Sequence, residues 1–153
     1  MHLTNLRGKV PDNVYAIYEK TKLVELRPCQ EKALNAGLLD GKNLVVCTPT
    51  GSGKTFVAEL AMVNTVLTKK SGKVVYLAPL KALATEKYKQ FKQRYGHLMS
   101  VALSIGDLDN PETPLARHDV IIATSEKMDS VIRHTAPWVK DIRLIIVDEI
   151  HLL

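Results

Sequence analysis

Five short, almost wholly apolar runs alternate with longer stretches of helical periodicity, and this alternation constrains the fold of the 153-residue chain more than any other feature. The runs are 44–47 (LVVC), 74–77 (VVYL), 101–105 (VALSI), 120–123 (VIIA) and 144–147 (LIIV). A strand with one wet face alternates apolar and polar residues, whereas a continuous run of four or five signals burial on both faces. Strands of that kind, separated by helices, define an α/β chain: a parallel sheet covered by helices on both sides. Right-handed crossovers follow almost without exception, and ligands of such sheets gather just beyond the carboxyl ends of the strands.

The helical segments have their own signals. Val14, Ile17 and Tyr18 share one face of a helix that begins after Pro11-Asp12. Pro28, a residue suited to a first helical turn, opens a second helix that runs to about Asp40-Gly41. Residues 56–67, apolar on nearly every side, form a buried crossover helix that stops near Lys69, Lys70 and Gly72. Leu80, Leu83, Ala84, Tyr88 and Phe91 mark a helix that ends near Gly96, and 125–134 form another. Residues 1–42 thus make a helical lead-in and 43–153 the sheet domain.

Composition narrows the class. An apolar share of 46% excludes a disordered chain. No apolar run approaches the ~18 residues of a membrane span, and the opening MHLTNLRGKVPDN lacks a secretory apolar stretch. Two cysteines, Cys29 and Cys47, make neither a disulfide framework nor a metal site by themselves, which fits a reducing, intracellular setting. A net charge of +5 permits a nucleic-acid partner without demanding one.

The first run flows into Thr48-Pro49-Thr50-Gly51-Ser52-Gly53-Lys54-Thr55. Glycines let backbone N–H groups converge on an anion, and the following helix adds the positive end of its dipole. A lysine at that point opposes the dipole, and the octet has no carboxylate to neutralise it. A polyphosphate supplies the missing negative charge: Thr50, Gly51, Ser52, Gly53 and Lys54 would cradle it, and the Thr55 hydroxyl would hold Mg²⁺. Thr48 stands where the strict pattern has glycine, so the match fails by one residue. The bland alternative is a tight strand-to-helix turn.

The last run leads directly into Asp148-Glu149-Ile150-His151. Two acids after a strand are most often a solvated turn or a helix cap. Beside a phosphate loop they take on another meaning: Asp148 would hold the Mg²⁺ and Glu149 would polarise an attacking water.

TPTGSGKT together with DEIH resembles a superfamily 2 DExH-box helicase, a group that shares the threonine at the first loop position. LRPCQEKAL is similar to the glutamine motif of those enzymes, APLKALATEKY to motif Ia, SIGD to the short Gly-Asp element and ATSEKMDSVIR to motif Ib. In register from about Leu23 to Leu153, these segments are most similar to the Ski-two-like group, and within it to the archaeal helicase 308 family. The resemblance implies a RecA-like fold, ATP and Mg²⁺ as cofactors, and an intracellular, archaeal source. It also implies residue roles. Gln30 would read the adenine edge, an amide able to donate and accept at once. Pro79, Lys81, Ala82, Gly106, Asp107, Thr124 and Ser125 would line the path of single-stranded or forked DNA, with DNA favoured over RNA only by the resemblance. Lys54, Asp148, Glu149 and His151 would carry the catalytic work, His151 by coupling nucleotide state to other motifs. The chain stops two residues after His151, before any motif III or arginine finger. It is therefore expected to be a first motor domain, incomplete and without the second motor domain that is its natural partner, and nearly inactive alone.

Other residues have bland readings. Thr124 or Ser125 can cap a helix, Cys47 belongs in an apolar core, Trp138 packs, and Lys87, Lys89, Lys92 and Arg94 coat a solvated helix face. Two further function classes stay open: a nucleotide-gated nucleic-acid-binding module without catalysis, and a small P-loop kinase. The kinase would need a lid and an acceptor site that the sequence does not display.

Overall fold

The computed structural model describes residues 1–21, 23–106 and 114–152. They form two compact units, Met1–Lys70 and Ser71–Leu153.

The first unit is helical. After a 3-10 turn at Leu3–Leu6 come α1 (Asp12–Lys20), α2 (Pro28–Asn35), a second 3-10 turn at Leu38–Asp40, and α3 (Lys54–Val63). Pro28 sits in the first turn of α2, where its missing N–H removes no helical hydrogen bond. That helix ends earlier than its periodicity indicates, because Gly37 adopts a left-handed φ of 99° and breaks the segment into two pieces. At its far end α3 loosens into a π-helical turn, Asn64–Thr68, closed by the Lys69 N–H on the Asn64 carbonyl at 2.8 Å. The core gathers Leu6, Val14, Tyr18, Leu60, Met62 and Val63. Tyr18 of α1 and Phe56 of α3 meet edge to face at 4.9 Å between ring centres.

Residues 44–47 do not form the expected first strand. They carry no ladder hydrogen bonds, Val45 is 83% exposed, and Cys47 is exposed rather than core. An apolar run reports a preference for burial, while a strand exists only once a neighbour pairs with it. The glycine loop and the helix it opens belong to the first unit, where α3 packs on α1 and α2.

The second unit is a four-stranded, all-parallel sheet in the order β2-β3-β1-β4. Its elements are β1 (Lys73–Ala78), α4 (Lys81–Tyr95), β2 (Val101–Ser104), β3 (Val120–Thr124), α5 (Ser125–Arg133) and β4 (Ile142–Val147). Successive side chains of a strand face opposite ways, and neighbours in β1 show which helix covers which face. Tyr76 meets Phe91 of α4 edge to face at 5.4 Å. Val75 instead joins a buried cluster with Ala102, Ile121, Met128 of α5 and Trp138. Helices therefore cover both faces, as the continuous apolar runs require, and Trp138 packs. The central strands β1 and β3 are buried throughout most of their length, whereas β4 is half exposed at the edge, with Ile145 at 55%.

Candidate functional site

The phosphate loop is tied down on one side. Gly51 and Gly53 hold φ of 77° and 96°, and Gly53 is the N-cap from which α3 springs. A Cβ at Gly53 would run into the Gln30 amide, so both the backbone angle and the packing select glycine. No acidic residue occupies the first turn of α3. The Lys54 ammonium, placed at a helix start whose dipole repels it, donates to the Thr48 carbonyl at 3.0 Å. The Thr48 and Ser52 hydroxyls share a 2.6 Å hydrogen bond, and the Ser52 N–H closes the turn on the Pro49 carbonyl at 3.3 Å.

Gln30, only 2% exposed, lies against this loop and not in solvent. Its Oε1 accepts the Arg27 N–H at 2.8 Å and its Nε2 donates to the Gly53 carbonyl at 3.1 Å. Cys29 Sγ donates to the Ser52 carbonyl at 3.0 Å, and the Arg27 guanidinium donates to the Gly51 carbonyl. The sequence drew attention to Gln30 alone. Nothing in an isolated arginine or cysteine, separated from the loop by more than 20 residues, announces contact with it.

In the second unit the acidic pair follows β4. The Asp148 N–H continues the ladder onto the Leu77 carbonyl at 2.9 Å, which fixes where its carboxylate begins. Tyr76, 1% exposed, donates its hydroxyl to Asp148 Oδ2 at 2.5 Å, and Oδ1 accepts the Glu149 N–H at 3.0 Å. Glu149 adopts a left-handed φ of 48°, an unfavourable conformation for a side chain of this kind. Its Oε2 lies 3.4 Å from His151 Nδ1, an ion pair whenever the imidazole is protonated. Tyr76 is a third residue the sequence passed over, after Arg27 and Cys29, since it stands in β1 as an ordinary aromatic strand residue.

The ends of β1 and β3 open onto a cavity of about 470 Å³ lined by Pro79, Leu80, Lys81, Thr124, Ser125, Glu126 and Leu152. Both α4 and α5 begin there, so the positive ends of two helices flank one hollow. Thr124 caps α5 by accepting the Lys127 N–H at 3.3 Å. The Ser125 hydroxyl is buried and has no hydrogen-bond partner among the described residues. Four residues predicted to touch nucleic acid, Pro79, Lys81, Thr124 and Ser125, thus share one cavity. Ala82 is exposed in the first turn of α4 but does not line it, Gly106 is exposed beyond β2, and Asp107 lies outside the described residues.

Comparison with known proteins identifies the family. Residues 27–153 match the model of the DEAD/DEAH box helicase family, and the chain belongs to that family. Among its relatives, the ATP-dependent DNA helicase Hel308 of Thermococcus kodakarensis is 46% identical over 144 residues, and that of Methanocaldococcus jannaschii 45% over 150. Those alignments take in 94% and 93% of this chain but 13% and 12% of the relatives, so it spans about an eighth of their length. The Hel308 of Pyrococcus horikoshii is 44% identical, with 20% of its length covered. The crystal structure of the DUF1998 helicase MrfA superposes with a TM-score of 0.80 at 23% identity, over 93% of this chain and 24% of that one, a likeness of fold.

Proposed function

We propose that this chain is the nucleotide-binding part of an ATP-dependent DNA helicase, working inside the cell as a first motor domain beside a second one. The observation that carries the reading is the start of α3: an ammonium, the N-terminal end of a helix and two left-handed glycines converge with no acidic residue in the first turn. That donor set fits a polyphosphate and fits little else. That its relatives are ATP-dependent DNA helicases supports ATP as the nucleotide and DNA as the nucleic acid.

In this reading Thr50, Gly51, Ser52, Gly53 and Lys54 hold the β- and γ-phosphates, and Gln30 serves the adenine end. The Thr55 hydroxyl and the Asp148 carboxylate are the residues that would hold magnesium, which when bound neutralises charge on the phosphates. Glu149 polarises the attacking water, and His151, 3.4 Å from Glu149 through Nδ1, couples nucleotide state to other motifs. Pro79, Lys81, Ala82, Gly106, Asp107, Thr124 and Ser125 take the single-stranded backbone. Helix N-termini and hydroxyls there suit phosphate oxygens better than base edges, so binding is expected to be indifferent to sequence.

Transition-state charge on the γ-phosphate calls for an arginine from a second domain, and such a residue is worth ~10³ to 10⁵ in rate in related nucleotidases. The 153-residue chain is therefore expected to bind Mg-ATP weakly, to hydrolyse it barely and to leave duplexes intact. Steady-state phosphate release and a forked-duplex unwinding assay on the purified chain test this. Robust strand separation by the chain alone would refute the proposal.

A further inference from the structure

Three consecutive carbonyls of the phosphate loop are tied to three side chains in the first turn of a different helix. Gly51 accepts from Arg27, Ser52 from Cys29 and Gly53 from Gln30. Every peptide bond described is trans, and in a trans peptide the C=O of one residue and the N–H of the next point in opposite directions. Drawing the carbonyls of Ser52 and Gly53 toward α2 turns the N–H groups of Gly53 and Lys54 away from it, while the Ser52 N–H is taken up by the Pro49 carbonyl. The Lys54 N–H then lies with the outward-pointing amides of the α3 N-terminus, since the Gly53 carbonyl also accepts the Phe56 N–H at 3.1 Å. The Gly51–Ser52 and Gly53–Lys54 peptides have backbone hydrogen bonds of their own, to the Pro49 carbonyl and from the Phe56 N–H. The Ser52–Gly53 peptide depends on its tether, and the glycines on either side of Ser52 tolerate both hands of the backbone.

We propose that Arg27 and Cys29 are positioning residues of the phosphate loop, holding its amides in the orientation that receives a polyphosphate. This rests on the nucleotide-site reading and extends it to two side chains that need never touch the ligand. Cys29 is 8% exposed and its thiol faces the loop, so it acts here as a small hydrogen-bond donor. Arg27 adds a charged donor at the N-cap of α2, where the positive end of that helix already favours carbonyl oxygens.

The two roles open to these residues, orienting phosphate-binding amides or reading the nucleobase, separate on a ligand without a base. Wild type, Cys29→Ala, Cys29→Ser and Arg27→Met chains are titrated calorimetrically with inorganic tripolyphosphate and with ATP, both with magnesium. Cys29→Ala and Arg27→Met should each weaken both ligands by the same factor, roughly fivefold for one lost hydrogen bond. Cys29→Ser, which keeps a donor, should restore both. Equal affinities across the series, a loss seen with ATP alone, or a serine variant as weak as the alanine one would each overturn the proposal. Thermal melting identifies any unfolded variant, and if Arg27→Met does not fold, the alanine and serine pair at position 29 decides. A wild-type chain that binds neither ligand removes the nucleotide site itself, a failure distinct from wild-type binding that the substitutions leave unchanged.

Discussion

At the scale of single residues, the account turns on side chains held by partners far away in sequence. Asp148 is the clearest case. Its carboxylate is aimed by the Tyr76 hydroxyl at 2.5 Å, across the β1–β4 ladder, with the donor buried at 1% exposure. A hydrogen bond to a charged acceptor stabilises by ~1.5–3 kcal/mol, and the half exposure of Asp148 lets water replace part of it. Tyr76→Phe is expected to lower unfolding free energy by about 1 kcal/mol, read from the urea midpoint. A midpoint equal to the wild type would show that the bond contributes nothing. The type and position of Asp148 were legible in the sequence because an apolar run ending in two acids has few readings. Tyr76 was not, since a tyrosine inside a strand signals packing first, and only the three-dimensional register brings its hydroxyl to the acid.

At the scale of elements, helices and strands follow their patterns where a partner is close in the chain and depart where it is not. Helix α4 runs Lys81–Tyr95, as the spacing of Leu83, Ala84, Tyr88 and Phe91 indicates, because its apolar stripe finds the sheet directly before and after it. Residues 44–47 fail as a strand for the opposite reason: their pattern requires a neighbouring ladder that the sequence cannot supply locally. The phosphate loop lies between these cases, since its glycines are legible as a turn but its docking on α2 is not. Gly53→Ala tests that docking. An alanine at φ 96° is strained by roughly 1–2 kcal/mol, and its Cβ meets the Gln30 amide, so the loop must shift. Affinity for an ATP analogue should drop about fivefold to thirtyfold at that strain, while far-UV circular dichroism stays near wild type. Undiminished binding would mean that this loop geometry is not needed for the ligand.

At the scale of the whole molecule, the parallel order β2-β3-β1-β4 brings the starts of α4 and α5 to one hollow beyond the strands. This follows from right-handed crossovers running in opposite directions along the sheet, β1 to β2 one way and β3 to β4 the other, which puts the two helices on opposite faces. The chain carries 21 basic against 16 acidic residues, so a nucleic-acid partner would be held chiefly through its phosphates. Single-strand binding followed by fluorescence anisotropy should therefore weaken with salt, with a log–log slope of about −0.7 per phosphate neutralised. A flat response would remove nucleic acid from the partners of this chain.

The central claim is that a magnesium triphosphate occupies the glycine loop, and the most direct measurement is the titration of the chain with a fluorescent ATP analogue, with magnesium and with chelator. Saturable binding that requires the metal, and that Lys54→Ala reduces by roughly tenfold to hundredfold without loss of fold, is the predicted result. An affinity unchanged by that substitution would place the nucleotide elsewhere and contradict the account.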